Sequence, residues 1–321
     1  MSAPLITIGL TTYNAEDTAA RAVHSALAQS WRPIEIVAVD DCSTDGTFGI
    51  LQELAVHHPE LRIYRNDVNG GVAVSRNRVL NEAQGEFIAF FDDDDESHSS
   101  RVRDQVMRLT EYEGKFAYEA PVICHTARNV IYPDGERRYE PTMGLRINHK
   151  APSGIDVARR ILMGTPVEDA YGACPTCSQM ARLSTYRALG GFDEAFRRGE
   201  DTDFNVRLAL AGGHFVGLET PLVEQRMTKT SEKSLDDECR FNLMLLDKNR
   251  NVMESEGQYE FCREWILMKC AWLSGHHFAF LSRAARLFMA YPILTLNRFR
   301  LATPNRALNK AFSRFHGDIH A

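Results

Sequence analysis

The sequence lacks the phosphate-binding motifs of two large classes of nucleotide-dependent enzymes. No G-x-G-x-x-G run follows the first predicted strand, which excludes the usual NAD or FAD fingerprint. No G-x-x-x-x-G-K-S/T run is present, which excludes a P-loop. The missing glycine-rich loop near the start also argues against a nucleotidyltransferase.

Long hydrophobic runs are missing as well. No stretch reaches the roughly 18 apolar residues that a membrane-spanning helix needs. Met1 to Pro4 lead straight into a strand pattern, without the basic region and apolar core of a signal peptide. We therefore expect a cytoplasmic protein, and peripheral contact with the inner face of the cell membrane is an open alternative.

The seven cysteines do not form a regular framework. Their odd number and irregular spacing favour a reducing compartment over a set of disulfides. Cys174 and Cys177 form a C-x-x-C pair, but no second pair or suitably spaced histidine completes a zinc site. The pattern therefore argues against a zinc or redox role.

Charge is unevenly distributed along an otherwise ordinary globular composition of 44% hydrophobic and 25% charged residues. Residues 258–321 hold nine Lys or Arg and three Asp or Glu, a net charge of +6, so residues 1–257 carry −12 of the total of −6. Because most of the chain is acidic, nucleic-acid binding has little support.

An acidic cluster follows directly after a predicted buried strand. Phe87–Phe91 is a continuous apolar run, and Asp92–Asp95 come next. Carboxylates about 6 Å apart repel by roughly 3 kcal/mol at an effective dielectric constant of 20, so a divalent cation would stabilise the cluster. Alternation along an extended chain would separate Asp92 and Asp94 from Asp93 and Asp95. A solvated acidic loop is the alternative.

Strands and helices alternate over the first ninety residues, which predicts an α/β fold with a mostly parallel sheet between helices. The predicted strands lie at 5–10, 34–39, 61–65 and 87–91. Ligands of such sheets bind beyond the carboxyl ends of the strands. Polar residues at 11–14, 40–45 and 92–95 all follow strand ends, so we expect them to line one cleft.

The second half of the chain gives a weaker pattern. Further elements are predicted as helices at 101–113 and 201–211 and strands at 121–132, 178–183 and 214–218, while 137–163 has no clear pattern. Beyond Arg226 the sequence is mostly helical, with helices predicted at 239–253, 260–272 and 278–296 and a break at Pro292. We predict a domain at 1–228, with halves 1–98 and 99–228, and a helical region at 229–321.

Several motifs occur in a characteristic order: Thr11–Asn14, Val39–Thr47, Asn69–Gly71, Ser75–Asn77, Asp92–Asp95, Leu189–Glu194 and Glu200–Asp203. Together they resemble family 2 glycosyltransferases of the GT-A fold, over roughly residues 5–226. The resemblance implies a mostly parallel central sheet flanked by helices, with a helical C-terminal appendage. It also implies inverting transfer of a sugar from a nucleotide-sugar, with UDP-sugars favoured, to a glycan or lipid-linked acceptor in polysaccharide or glycoconjugate assembly.

The resemblance also assigns roles to individual residues. The expected nucleotide-sugar contacts are Thr11, Tyr13, Asp41, Arg76, Asp92 and Asp93. Asp94 would bind Mn²⁺ or Mg²⁺, with Asp92 and Asp95 as substitutes. Asp201 would be the general base and Glu200 the reserve candidate. The alternatives are purely structural roles: a strand-end cap for Thr11, a surface salt bridge for Arg76 and a helix cap for Asp201.

One position departs from the family pattern. An Arg-x-His sequence often completes the metal site there, whereas this chain has Arg226, Met227 and Thr228. One carboxylate, the diphosphate and water would then hold the metal, and binding without donor would be weak. His214 precedes an apolar strand and is interpreted as structural.

Two further alternatives concern turnover and the basic tail. The chain could be a nucleotide-sugar-binding assembly component without turnover. In the tail, basic residues alternate with apolar ones: Arg283, Arg286, Phe288, Met289, Tyr291, Ile293, Leu294, Arg298, Phe299, Arg300, Arg306, Lys310, Phe312, Arg314 and Phe315. This mixture is typical of a helix on an anionic membrane surface, and equally of a helix packed on the sheet domain or in a homodimer.

Overall fold

The computed structural model describes residues 3–227 and 235–302. The chain divides into two compact units. The first consists of Met1–Ile161 and Thr165–Thr228, and the second of Leu162–Gly164 and Lys229–Ala321.

Nine strands in the described residues form one sheet. Their bounds are β1 Ile6–Thr12, β2 Ile34–Asp40, β3 Leu61–Arg65, β4 Phe87–Asp92, β5 Glu96–Ser97, β6 Val122–Ile131, β7 Arg137–Glu140, β8 Gln179–Arg182 and β9 His214–Arg226. The strand order is β3-β2-β1-β4-β8-β6-β9-β5, and β7 pairs with β6 outside this path. The four strands β3-β2-β1-β4 are parallel, as predicted, whereas β8 lies antiparallel to both β4 and β6.

Seven α-helices connect and cover these strands: α1 Ala19–Leu27, α2 Thr47–His57, α3 Val72–Glu82, α4 Arg101–Tyr112, α5 Gly154–Met163, α6 Leu183–Ala188 and α7 Glu200–Leu210. They belong to the first unit, except for the last two residues of α5. All of β1 and β2 is buried, and the apolar residues of β4 are buried too. Alternate residues of these strands belong to two separate apolar clusters. Ile36 and Phe91 lie in one cluster, and Val37 and Phe90 in the other, so the sheet carries a core on each face.

The structure corrects several predicted boundaries. β1 continues through Thr12, because Thr11 and Thr12 still pair with Val39 and Asp40 of β2. β9 continues to Arg226 because it pairs with β6 along its length, with an irregularity near Ala127. The segment without a clear pattern contains β7 and α5.

The second unit is helical in its described residues: α8 Leu235–Lys248, α9 Arg250–Glu254, α10 Tyr259–Leu273, α11 His277–Ala290 and α12 Pro292–Ala302. The predicted break at Pro292 is confirmed, because α11 ends before it and α12 begins with it. A disulfide joins Cys239 of α8 to Cys270 of α10, which corrects the expectation that the cysteines would remain reduced. Within residues 3–227 and 235–302, no helix is both long and apolar enough to cross a membrane.

Candidate functional site

Three polar segments meet at the carboxyl edge of the parallel strands. The ends of β2 and β4 lie on either side of β1, since Thr11 pairs with Val39 on one side and Asp92 on the other. Beyond the strands, the backbone N–H of Tyr13 donates to Asp93 Oδ2 at 3.0 Å, and that of Asn14 donates to Ser43 Oγ at 2.9 Å. The predicted convergence of these segments on one edge is confirmed.

Asp41 organises the loop that precedes α3. It is buried, and Oδ1 accepts hydrogen bonds from Asn66 Nδ2 at 2.7 Å and from the backbone N–H of Gly70 at 3.1 Å. Oδ2 accepts from the backbone N–H of Gly71 at 2.7 Å. Gly71 has φ +90°, a conformation that glycine adopts without the steric cost of a Cβ. Asp41 therefore holds this loop beside the cleft.

The acidic cluster does not stay extended, which corrects the expected alternation. The chain turns after β4, and the backbone N–H of Asp95 points back to the carbonyl of Asp92 at 3.4 Å. The turn brings Asp92 and Asp95 together beside Cys177, with one ligand atom from each within 4.8 Å of the others. Asp93 instead faces Tyr13. The odd and even acids are therefore not sorted onto two faces.

Two carboxyl groups of the cluster, those of Asp93 and Asp95, are harder to ionise than an ordinary aspartate. Burial raises the pKa of Asp93 to about 8, and the neighbouring carboxylate of Asp94 adds to the shift. Burial also raises the pKa of Asp95 well above its usual range, with further contributions from Asp92 and Asp94. A cation at this position would relieve both effects, because it stabilises the ionised carboxylates.

The residues present fit a hard divalent cation. Asp92 and Asp95, which the turn brings together, offer the oxygen ligands that Mg²⁺ and Mn²⁺ prefer. The buried Oδ2 of Asp95 lacks a regular hydrogen-bond partner among the described residues, although the thiol of Cys177 lies beside it. Burial raises the pKa of that thiol well above its ordinary value, so the sulfur is a poorer ligand than the carboxylates.

Arg76 joins this cluster to a second acidic segment. Its side chain is 5% exposed, and Nη2 lies 3.0 Å from Asp92 Oδ1. Its Nη1 donates to Glu200 Oε1 at the start of α7. Burial opposes the charge, but Asp92, Glu200 and Asp201 outweigh it and raise the pKa of Arg76 above its ordinary value. The alternative structural role of Arg76, a surface salt bridge, is wrong, because the guanidinium group of this ion pair is buried.

Glu200 and Asp201 occupy the first turn of α7 but differ in environment. Glu200 is buried, which raises its pKa to about 7; Arg76 opposes this shift and Asp201 adds to it. Asp201 is partly exposed, and its Oδ1 accepts from the backbone N–H of Thr202 at 2.6 Å. Of the two, Asp201 is the more exposed carboxylate.

Three residues of the site were not predicted from the sequence. Cys177 lies beside Asp92 and Asp95, Arg21 donates to the carbonyl of Asp94 at 3.1 Å, and the backbone N–H of Arg226 donates to Asp95 at 2.9 Å. Cys177 belongs to the C-x-x-C pair, which gave no indication of this cluster, and no local pattern marks Arg21.

Two positions, Thr228 and His214, bear on whether a histidine contributes to the metal site. Thr228, the position of the missing family histidine, lies outside the described residues. The structural interpretation of His214 agrees with its buried contact to the hydroxyl of Tyr112, at 2.7 Å from Nδ1.

Comparison with known proteins connects this geometry to one family. The model of glycosyl transferase family 2 matches residues 7–161. The glycosyltransferase EpsE of Bacillus subtilis (strain 168) is 31% identical over 70% of this chain and 74% of its own length. The teichuronic acid biosynthesis glycosyltransferase TuaG of the same strain is 37% identical over 36% of this chain, and the match spans only 46% of TuaG.

A third relative has a more specific name. WfaP of Escherichia coli, a UDP-Glc:α-D-GlcNAc-diphosphoundecaprenol β-1,3-glucosyltransferase, is 33% identical over 36% of this chain and 45% of its own length.

Solved structures support the same fold. TarS of S. aureus in complex with UDP is 21% identical to this chain, with a TM-score of 0.57. The superposition spans 83% of this chain and 71% of the TarS chain. The mannosyltransferase PcManGT of Pyrobaculum calidifontis, solved with GDP-Man and Mn²⁺, is 17% identical to this chain, with a TM-score of 0.56. The superposition spans 97% of this chain and 84% of the PcManGT chain. At these identities the likeness establishes a GT-A type fold alone.

Proposed function

Since the chain belongs to glycosyl transferase family 2, we propose that it moves a sugar from a nucleotide-sugar to a glycan or lipid-linked acceptor with inversion. The observation that carries this proposal is the buried contact of Arg76 with both Asp92 and Glu200. This contact ties the acidic cluster at the strand ends to the first turn of α7, where the candidate base lies. A donor and an acceptor could therefore meet between them.

The donor in this proposal is a UDP-sugar bound along the strand ends. Thr11 and Asp41 would contact the base, Asp93 the ribose and Arg76 the base or the phosphates, with Tyr13 and Asp92 beside them. The choice of UDP is supported by the UDP-Glc in the name of WfaP and by the UDP in the TarS complex. The GDP-Man in the PcManGT structure makes a GDP-sugar the alternative donor.

Asp94 would hold a divalent cation, with Asp92 and Asp95 as neighbouring ligands. When bound there, Mn²⁺ or Mg²⁺ supplies positive charge for the departing diphosphate. Mn²⁺ in the PcManGT structure supports this choice. The raised pKa values of Asp93 and Asp95 support it independently, because the cluster attracts positive charge.

Asp201 would take the proton from the attacking acceptor hydroxyl. It lies in the first turn of α7, within reach of the acceptor side, and the positive end of the helix dipole attracts a negatively charged side chain there. Glu200 is less suited to this role, since it is buried and paired with Arg76. Attack from one side, opposite the leaving group, inverts the sugar.

The biological role in this proposal is polysaccharide or glycoconjugate assembly in the cytoplasm. The names of TuaG and WfaP support it, since one refers to teichuronic acid biosynthesis and the other to a diphosphoundecaprenol acceptor. The transferase would occupy residues 1–228, with the donor half at 1–98 and the acceptor half at 99–228. The helical region at 229–321 would serve another purpose, such as a homodimer contact or a membrane surface.

The experiment is release of UDP from a panel of UDP-sugars with Mn²⁺ and an acceptor extract, for the wild type and Asp201→Asn. We expect Asp201→Asn to bind donor like the wild type but to lose about 10²–10⁴-fold in transfer, because a base acts only on the acceptor proton. Asp156→Asn is the matched control, since Asp156 also lies in the first turn of a helix and is exposed.

The alternative is an assembly component that binds nucleotide-sugar without turnover. It would be favoured if UDP-sugars bind but neither the wild type nor the control releases UDP with any acceptor. Transfer by Asp201→Asn at a rate near that of the wild type would instead refute the assignment of the base and point to Glu200.

A further inference from the structure

Helix α11 has two apolar faces, and the described part of the chain buries only one of them. Leu287 is buried, and the ring of Phe280 contacts that of Trp272 at 5.0 Å between centroids. On the other side of the helix, Phe278, Leu281, Phe288 and Met289 are exposed. Successive members are three, seven and one residues apart, which at 3.6 residues per turn places all four on one stripe, roughly opposite Leu287. We call these four residues the outer stripe.

Most of the outer stripe is exposed to solvent. Phe278 is 88% exposed, Leu281 63% and Met289 79%. Ile293 and Leu296 of α12 add further exposed apolar area shortly after it in the chain. Single exposed apolar residues need no explanation, but a contiguous group of large ones marks an interaction surface.

The charged residues of α11 and α12 themselves have one sign. Residues 277–302 contain four arginines and no aspartate or glutamate. Arg286 is 64% exposed, and Arg300 is also exposed. Arg283 is anchored to Glu264 of α10 at 2.7 Å, and Arg286 lies 3.9 Å from the same carboxylate but keeps most of its side chain in solvent.

We propose that the outer stripe and its flanking arginines bind an anionic lipid surface, with α11 lying in the plane of the membrane. Large apolar side chains next to arginines are the pattern of helices that insert one face between lipid headgroups. The arginines then attract the anionic headgroups, and the apolar side chains leave water. Neither α11 nor α12 would need to cross the bilayer.

A second copy of this chain is a less suitable partner. In a symmetric dimer the same patch meets itself, so the outward arginines of one copy would approach those of the other. Like charges at an interface are unfavourable, whereas an anionic lipid surface complements them. The membrane proposal rests on the proposed function only for its purpose, which is to bring the enzyme to a lipid-linked acceptor.

The test is flotation of the full chain with vesicles of equimolar phosphatidylglycerol and phosphatidylcholine, compared with phosphatidylcholine alone. We expect flotation with the anionic vesicles at low salt and loss of it at high salt. Arg286→Glu with Arg300→Glu should weaken partitioning at least about 25-fold, taking about fivefold for each charge removed. Phe278→Ser with Met289→Ser should also abolish flotation.

Matched controls carry the same changes at other exposed positions. Val56→Ser with Val68→Ser replaces two exposed apolar residues, and Arg137→Glu with Arg240→Glu replaces two exposed arginines. Both controls should float like the wild type. Binding to anionic vesicles that survives in the stripe variants would overturn the proposal, as would its absence in the wild type.

Two further readouts separate the other outcomes. Sedimentation at several protein concentrations tests for a dimer, and a dimer that dissociates only in Phe278→Ser with Met289→Ser would overturn the proposal in favour of a second copy. Release of UDP in solution should be unchanged in all four variants. Loss of flotation with intact UDP release therefore tests the membrane surface separately from the proposed transfer.

Discussion

Arg76 is the residue on which the electrostatic balance of the site depends most. One buried cation faces Asp92, Glu200 and Asp201, so the carboxylates outnumber it. Removing the cation would leave the buried carboxyl group of Glu200 without this partner, which is costly in a protein interior. The balance also explains why the pKa of Glu200 stays raised although Arg76 lies against it: burial and Asp201 act in the opposite direction.

The raised pKa of Glu200 predicts a specific dependence of stability on pH. The pKa rises from its usual 4.5 to about 7 in the folded protein, so the folded state binds the proton more tightly than the unfolded chain. The resulting stabilisation is complete below the unfolded pKa and is lost as pH rises through about 7. We expect Glu200→Gln to lose less free energy of unfolding than the wild type between about pH 5 and about pH 8.

Urea unfolding without divalent cations measures this difference. Glu53→Gln, at an exposed glutamate of α2, is the control and should parallel the wild type. Parallel curves for Glu200→Gln and the wild type would mean that Glu200 is ionised throughout this range.

The metal proposal distinguishes Asp94 from the thiol in the neighbouring group. We expect Asp94→Asn to weaken Mn²⁺-dependent binding of UDP by about tenfold or more, because it removes an oxygen ligand and one negative charge. Cys177→Ala should leave binding unchanged, since a protonated thiol is a poor ligand for Mn²⁺. Calorimetric titration with and without Mn²⁺ measures both, and the reverse ranking would place the metal between Asp92, Asp95 and Cys177.

At the scale of elements, the turn before α7 is fastened to α3. Asn77 of α3 accepts a hydrogen bond from the backbone N–H of Phe192 at 2.8 Å and donates to its carbonyl at 2.9 Å. Gly191 precedes Phe192 with φ +71°, and a Cβ there would lie 2.4 Å from Asn77 Oδ1. We expect Gly191→Ala to disturb both hydrogen bonds.

Gly190→Ala provides the matched control. Gly190 has nearly the same φ of +76°, but a Cβ there would meet nothing within 4 Å. In both variants an alanine in the left-handed conformation lowers the free energy of unfolding by about 1–2 kcal/mol. The loss of the two hydrogen bonds should lower that of Gly191→Ala by a further amount of about 1–3 kcal/mol. Thermal or urea unfolding measures the difference, and equal losses would mean that the turn tolerates displacement from Asn77.

The elements differ in how far their sequence determines them. Phe87–Phe91 could be predicted as a buried strand, because its apolar run is short and continuous and an acidic segment follows it. The ends of β1 and β9 could not be predicted, because pairing with β2 and β6 sets them. β7 is only four residues of Arg, Tyr and Glu and pairs with β6 alone, so no apolar pattern marks it.

The candidate site follows the same distinction. Its position at the strand ends follows from the order of strands and helices and was predicted. The turn that joins Asp92 to Asp95 depends on tertiary contacts, such as the bond from Arg226 to Asp95 across 131 positions. The partner of Arg76 at Glu200 is separated from it by 124 positions, and no local pattern could indicate that pair.

At the scale of the whole molecule, the disulfide lies entirely within the second unit. Cys239 and Cys270 are 31 positions apart, and a disulfide that closes a loop of that length stabilises the folded state by about 3–4 kcal/mol in the chain-entropy description. We expect Cys239→Ser with Cys270→Ser to speed amide hydrogen exchange in α8 and α10 under oxidising conditions. Exchange in β1, β2 and β4 should remain as in the wild type.

Dithiothreitol should reproduce this effect in the wild type and add nothing to the double variant. Cys42→Ser, at a free and partly exposed cysteine of the first unit, is the control and should behave like the wild type. Faster exchange in the parallel strands as well would mean that the two units do not respond separately.

The strand order has a consequence for how the chain is made. β1, β2, β3 and β4 all come from residues 6–92 and can pair as soon as they leave the ribosome. The outer edge of β4, however, pairs with Met180–Arg182 of β8. At about 5–20 residues per second, translation leaves that apolar edge open for roughly 5–20 seconds, long enough for another nascent chain to pair with it. Yield in a recombinant host should therefore depend on the chaperones that shield β4 during this interval.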